Sequence, residues 1–239
     1  MPQSHSINGD SEAARIRREY ERREQSIPAD FYSLDKPANR FAHKRLATRI
    51  QALFEQRHFT PLAGRRIADI GCGSGTWLSA FAAWGARPHD LFGIDLSPRR
   101  VAAARRRLPQ SDLVHGDAST LPWPDASFDL ACQFTAFSSV LDPAMKHAMA
   151  AEMLRVLRPG GAVLWYDLRV NNPRNQAVRA IPLEEIGSLF PRCAIAAERQ
   201  TLAPPLARAI VPRSEAVAAF LERIPALRSH NLVWIGKPE

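Results

Sequence analysis

The stretch RRIADIGCGSGTWLSAF, Arg65 to Phe81, passes from apolar residues through three glycines to helix-forming residues within a few positions. A strand that turns into a helix through glycines lets an anionic or nucleotide-like ligand approach backbone N–H groups at the helix start. The spacing is G-x-G-x-G, with Thr76 where a dinucleotide fingerprint wants a third-step glycine. Asp69 lies inside the strand, two residues ahead of Gly71. An acid there points into the ligand crevice, suits a cationic group and repels a phosphate, so a nicotinamide dinucleotide fits poorly.

Working outward, RIADIG, LFGIDL, SDLVHG, FDLACQF and GAVLWYDLRV read as strands that alternate with the helical runs TWLSAFAAWG, PRRVAAARRRL and PAMKHAMAAEMLRVL. Short strands separated by helices imply right-handed crossovers and a mostly parallel sheet. LRPGG, Leu157 to Gly161, is expected to end the long helix, with Pro159 and the glycine pair supplying the left-handed geometry of the reversal. Further on, RCAIAAERQ and HNLVWIGKP are two more strands, IPLEEIGSLF and SEAVAAFLERI are helices, and APPLARAIVPRS is an extra hairpin or lid between the last two strands. The expected architecture is α/β, a doubly wound, mostly parallel, seven-stranded sheet with an N-terminal helical add-on. In that add-on Met1 to Asp10 is polar and expected to fray. Ser11 to Gln25 reads as a charged helix, and Ile27 to Arg40 as a loop. Phe41 to Arg57 is an amphipathic helix carrying Phe41, Leu46, Ile50 and Leu53. Residues 1–60 are thus read as a helical cap or lid and 61–239 as the sheet domain.

The chain of 239 residues, 46% hydrophobic, suits one α/β domain with appendages. Its formal charge of +8 raises nucleic acid as a partner. Much of the excess, however, sits in RIRREYERRE, where acids interleave, and in RRVAAARRRL, the solvated face of one helix. Nucleic acid is therefore not the expected partner. No long apolar run or secretory leader is visible, so the expectation is a cytoplasmic protein without a membrane span. Cys72, Cys132 and Cys193 are far apart, lack C-x-x-C spacing and read as buried free thiols, with no metal implied.

ADIGCGSGT resembles the first motif of class I S-adenosylmethionine (SAM)-dependent methyltransferases. LFGIDLS, LVHGDASTLPWPDASFDL, FDLACQF and AAEMLRVLRPGGAVLWYD follow in that family's order, so the resemblance covers about Arg66 to Asp167. It implies a Rossmann-like sheet, SAM as donor and S-adenosylhomocysteine as product. Carried over residue by residue, it places Asp69 by the amine and the turn of Gly71, Gly73, Ser74 and Gly75 by the carboxylate. Asp95, with Leu96 beside it, meets the ribose hydroxyls, Asp117 the adenine amino group, Ala118 the ring edge and Gln133 the methionine part. The chemistry agrees, because SAM carries an ammonium and a sulfonium as well as a carboxylate. Two bland alternatives stand beside these roles: Asp95 as an acid ahead of a helix that Ser97 caps, and Asp117 as a turn acid in GDAS.

Methyl transfer from a sulfonium is an in-line displacement with a neutral leaving group, so the protein must align the partners and exclude water, and no metal is required. An oxygen acceptor also needs its proton removed. WYDLRVNNPRN, after the fifth strand, supplies Tyr166 and Asp167 as catalytic candidates and Arg169, Asn171 and Asn172 as substrate-binding ones, although strand alternation puts Tyr166 and Asp167 on opposite faces. NNPR lacks the aromatic residue of amino-methylating nucleic-acid enzymes. His230 is a third catalytic candidate, with Arg228 beside it as an anion contact, and Tyr32 in DFYSLDKP is the substrate-side residue of a lid. The tail resembles, more loosely, bacterial methyltransferases of polysaccharide and specialised-metabolite gene sets. That implies a small-molecule or glycan acceptor, methylated at oxygen. The alternatives are a nucleic-acid methyltransferase, favoured by net charge, and a non-catalytic SAM-binding module.

Overall fold

The computed structural model of the protein describes residues 11–28, 30–173 and 175–239, so the fraying expected of Met1 to Asp10 lies outside it. Helices α1 (Glu12–Ser26) and α2 (Pro37–Gln56) precede β1 (Ile67–Ile70), α3 (Thr76–Ala83), β2 (Leu91–Asp95), α4 (Pro98–Arg107) and β3 (Asp112–His115). Then come β4 (Phe128–Phe134), α5 (Pro143–Val156), β5 (Leu157–Leu168), α6 (Leu183–Leu189), β6 (Ala194–Leu202), α7 (Pro204–Ile210), α8 (Glu215–Glu222) and β7 (Arg228–Gly236). The seven strands form one sheet in the order β3-β2-β1-β4-β5-β7-β6. The first five are parallel, and β7 runs antiparallel to both β5 and β6.

Strand alternation sorts the core into two layers. Ala68, Ile70, Val163 and Trp165 face α5 and the buried Ile16 of α1, whereas Ile67, Leu130, Leu164 and Tyr166 face Ile50 and Phe54 of α2 and Leu78 and Phe81 of α3. Each fully buried side chain of this kind contributes roughly 1.5 to 3 kcal/mol. The consecutive helices α1 and α2 therefore sit on opposite faces of the sheet, and Tyr32, between them, lies near the C-terminal end of β1 beside Asp69 and Gly71.

α1 is strongly polar, so tertiary anchors must hold it. Ser11 caps it by accepting from Ala14 N (3.3 Å), Arg15 donates to the Ser139 carbonyl (2.7 Å), and Glu12 accepts from Leu141 N (2.6 Å). α2 begins at Pro37, inside the expected loop, because a proline's fixed φ and missing N–H suit the first helical turn.

Three further expectations are corrected. LRPGG does not lie between helix and strand: α5 stops at Val156 and LRPGG belongs to β5. Leu157 pairs with Phe128 and Ala162 with Leu130, so the reversal is absorbed as a bulge, with Gly160 at φ +70°. APPLARAIVPRS is not a hairpin, since Pro204 and Pro205 open α7. Cys193 is only half-buried, whereas Cys72 and Cys132 are buried, Cys72 in the glycine turn itself. Among the described residues no helix is long and apolar enough to cross a membrane.

Candidate active site

The glycine turn leaves β1 at the C-terminal edge of the sheet. Gly71 N and Cys72 N both donate to the Ile94 carbonyl (2.8 and 3.0 Å), which folds the turn back over β2. Gly71 has φ +79°, and a Cβ there would stand 2.7 Å from Ala136 Cβ. Gly73, at φ +54°, lines the crevice, and a Cβ there would meet no atom within 4 Å. Gly75 caps α3 with no side-chain partner, leaving the first N–H groups of that helix for an anion.

Asp69 is 2% exposed and its Oδ1 is buried without a hydrogen-bond partner. Burial, reinforced by the Asp95 charge, pushes its carboxyl up to about 8. A buried carboxylate oxygen left unpaired on the wall of a cavity of about 590 Å³ is a site built for a cation. Asp95 holds the turn's geometry: Oδ2 accepts from Gly73 N (2.9 Å) and Oδ1 from Ser97 N (2.8 Å), and each oxygen keeps a second acceptor position. Ser97 caps α4 by accepting from Arg100 N, as the alternative reading of Asp95 expects, while Asp95 also braces the glycine turn. Leu96 and Ala118 line an adjoining cavity that Ile16 and Tyr20 of α1 close from above. Asp117 does not line it; its Oδ1 accepts from both Ser119 N and Ser119 Oγ (2.8 Å each), as a turn acid does.

Beyond the glycine turn the crevice continues into a second cavity of about 320 Å³, walled by α2, α7, β5 and β7. Trp77, at the start of α3, stacks between Phe134 (centroids 4.4 Å apart) and His43 of α2 (4.6 Å). The Tyr166 ring lies parallel to that of His230 (4.7 Å, 2°), and its hydroxyl shares a hydrogen bond with Thr201 Oγ1 (2.7 Å). Burial raises the Tyr166 phenol further above its ordinary value, which keeps it protonated, and pushes His230 down to about 4, which keeps it neutral. Ser229 Oγ lies 2.9 Å from His230 Nδ1. Tyr32, 65% exposed, stands at the mouth shared by the two cavities.

Several expected site residues are elsewhere. Gln133 is fully buried, accepting from Ala136 N (2.9 Å) and donating to the Tyr166 carbonyl (3.4 Å), and its neighbour Phe134 reaches the crevice instead. Asp167 is 1% exposed and accepts from Ser138 N (3.0 Å) and Leu168 N (2.8 Å), so it fastens the turn Phe137–Ser139 onto β5. Arg169 donates to the Arg228 carbonyl, and Asn171 accepts from Ala180 N within its own loop. Exposed Asn172 closes a turn to Asn175 N, and Arg228 donates to the carbonyls of Glu222 and Arg199. None of these four lines the two cavities. Sequence reasoning passed over Trp77, His43, Phe134, Thr201 and Tyr20. Only Trp77 carried a local signal, a large aromatic one residue after the turn's Thr76.

A parallel sheet in this order with an antiparallel β7 inserted beside β5, a glycine turn after β1 and acids ending β1 and β2 define the Rossmann-like class of methyltransferases. Residues 67–161 match the family model described as "Methyltransferase domain", the same stretch whose motifs resemble those of class I SAM-dependent methyltransferases. Over 113 residues it is 38% identical to phthiotriol/phenolphthiotriol dimycocerosates methyltransferase 1 of Mycobacterium ulcerans, which is 46% of this chain and 40% of that protein. It is likewise 38% identical over 111 residues to demethylmenaquinone methyltransferase of Clavibacter sepedonicus, covering 45% and 43%. The matched segment thus spans less than half the length of these curated relatives. Among solved structures, the Burkholderia thailandensis 1,6-didemethyltoxoflavin-N1-methyltransferase, with bound 1,6-didemethyltoxoflavin and S-adenosylhomocysteine, aligns over 100% of this chain and 94% of its own with a TM-score of 0.61 at 18% identity. A SAM-dependent methyltransferase from Archaeoglobus fulgidus aligns over 87% and 100%, with a TM-score of 0.61 at 16% identity. These likenesses are of fold.

Proposed function

We propose that the protein is an enzyme that transfers a methyl group from SAM to an oxygen atom of a small organic acceptor. The observation that carries this reading is the unpaired, buried Oδ1 of Asp69 beside an open glycine turn, on a crevice continuous with an aromatic-walled cavity. When bound, SAM supplies an electrophilic methyl on a sulfonium that departs as a neutral thioether. Asp69 pairs with the ammonium, the start of α3 with the carboxylate, and the remaining acceptor positions of Asp95 with the ribose hydroxyls. Ala118, Leu96 and Tyr20 flank the adenine. In this reading residues 1–60 are the cap and 61–239 the methyltransferase domain, with α1 closing the adenosine side and α2 walling the acceptor side.

A cavity of about 320 Å³ with several aromatic rings has the size and lining of a small-molecule site, and Arg208 is the one cation among its lining residues. The relatives named for phthiotriol/phenolphthiotriol dimycocerosates and demethylmenaquinone take organic molecules of that kind, which supports a small-molecule acceptor and leaves the methylated atom to the site's chemistry. In that cavity the parallel rings of Tyr166 and His230, the phenol tied to Thr201 and the imidazole neutral, wall the space that the acceptor would fill. Tyr32 covers the mouth.

Calorimetric titration with SAM, S-adenosylhomocysteine and NADH in parallel tests the donor. Binding of the first two alone is expected. Binding of NADH alone contradicts the reading, and methylation of single-stranded DNA but of no small acceptor would replace it with the nucleic-acid alternative.

A further inference from the structure

Resting on the methyltransferase reading above, we propose that the acceptor is a phenol, held in the aromatic-lined cavity that Trp77 and Tyr166 wall, and that His43 takes its proton. Five ionisable side chains line the acceptor cavity: Tyr32, His43, Tyr166, Arg208 and His230. Four are unsuited to accept a proton. Tyr166 is committed to Thr201 and stays protonated, and Arg208 is a permanent cation that stacks on Phe31 (4.6 Å). His230 has one nitrogen against Ser229 and is pushed down to about 4, while Tyr32 stands largely in solvent at the mouth.

His43 differs in its hydrogen bonding. Its Nε2 is buried with no partner, a costly state that a ligand hydroxyl would relieve. Burial lowers its imidazole below the usual histidine range, so it is neutral and able to accept a proton near pH 7. Stacking on Trp77 fixes the ring plane beside the same α3 start that receives the donor's carboxylate. It projects from the α2 face that also carries Ala42 and Leu46 into the cavity, so the group is held by a helix and not by a loop.

The aromatic rings and aliphatic side chains that line the cavity favour an apolar, aromatic acceptor, and among the described residues the lining holds no carboxylate and few of the polar groups that a sugar would need. The step balances: the phenol oxygen forms the new C–O bond as the methyl–sulfur bond breaks, that bond's electron pair goes to sulfur, and the phenol proton goes to His43. The titratable groups that share the cavity with His43 are Tyr166, His230, Tyr32 and Arg208, Lys44 and Arg40 lie on its own helix, and burial is what lowers its imidazole.

The test uses the full chain with 4-methylphenol, 4-nitrophenol and methyl α-glucoside as probes at about pH 8, where 4-nitrophenol is already ionised. Both phenols, and not the glucoside, are expected to bind the S-adenosylhomocysteine-loaded protein, read by quenching of tryptophan fluorescence. In His43→Gln, turnover of 4-methylphenol is expected to fall ~100-fold and that of 4-nitrophenol by less than ~5-fold, with S-adenosylhomocysteine affinity within about twofold. Free imidazole should restore 4-methylphenol turnover in His43→Ala. An equal loss on both phenols, or no rescue, overturns the role of His43. A loaded wild-type protein that binds the glucoside and neither phenol overturns the acceptor class. A wild-type protein that does not bind S-adenosylhomocysteine removes the methyltransferase reading on which both stand.

Discussion

Asp69 at the end of β1 and Asp167 at the end of β5 are the same residue in the same kind of place, each almost wholly buried at the C-terminal edge of the sheet. Their surroundings separate them. Both oxygens of Asp167 accept from backbone N–H groups, and burial, opposed by those bonds, leaves it raised only to about 6. Asp69 has an oxygen with no partner, feels the Asp95 charge and is raised to about 8. One carboxylate is spent on holding a turn, and the other is left open for a ligand. A buried acid at a strand end is a binding group only when the fold has not already satisfied it.

The comparison can be broken hardest at the turn beside Asp69. Gly73→Val places a branched side chain in the open crevice at a positive φ, and SAM binding is expected to vanish while the fold persists; calorimetry with a circular dichroism control reads this. Asp95→Ala removes the acceptor for Gly73 N and Ser97 N as well as for the ribose. SAM affinity should fall by ~10- to 100-fold, from lost hydrogen bonds of about 1 to 3 kcal/mol each. Unchanged affinity would mean that Asp95 is only a brace.

A finer contrast lies in stability against pH. Both folded values lie above the unfolded carboxyl value of 3.8, so the folded protein holds more protons and loses stability as pH rises through each window. For Asp167 that window closes near 6, and His230, lowered to about 4, acts with opposite sign up to its ordinary 6.5. Between pH 6.5 and 8 the loss belongs to Asp69, with a slope of at most ~1.4 kcal/mol per pH unit. Urea titrations should show this slope in Asp167→Asn and a flat profile in Asp69→Asn.

The donor side was legible in the sequence because it is nearly continuous. The turn, Asp95 and Ala118 lie within one run of strands and helices whose glycines are dictated by backbone geometry. The acceptor side is assembled from Tyr32, His43, Trp77, Tyr166, Thr201 and His230, which meet only after α2 and the antiparallel pair β6 and β7 are placed. Alternation correctly set Tyr166 and Asp167 on opposite faces, but which face opens depends on the turn Phe137–Ser139 packing over the Asp167 side. Polar density after β5 misled for a similar reason: Arg169 serves the Arg228 carbonyl at the start of β7, and Asn171 a backbone group of its own loop. APPLARAIVPRS read as a hairpin because prolines break helices in the interior, whereas here they start one.

The central claim is that Asp69 binds the donor's ammonium as a carboxylate. In the free protein at pH 7 a carboxyl raised to about 8 is mostly protonated, and pairing with a cation lowers it. SAM titrations at pH 7 in two buffers of different ionisation enthalpy measure the protons exchanged on binding. The wild type should release about one proton that Asp69→Asn does not, with the variant binding ~10- to 100-fold more weakly. Equal proton release and equal affinity in the two proteins would contradict the assignment.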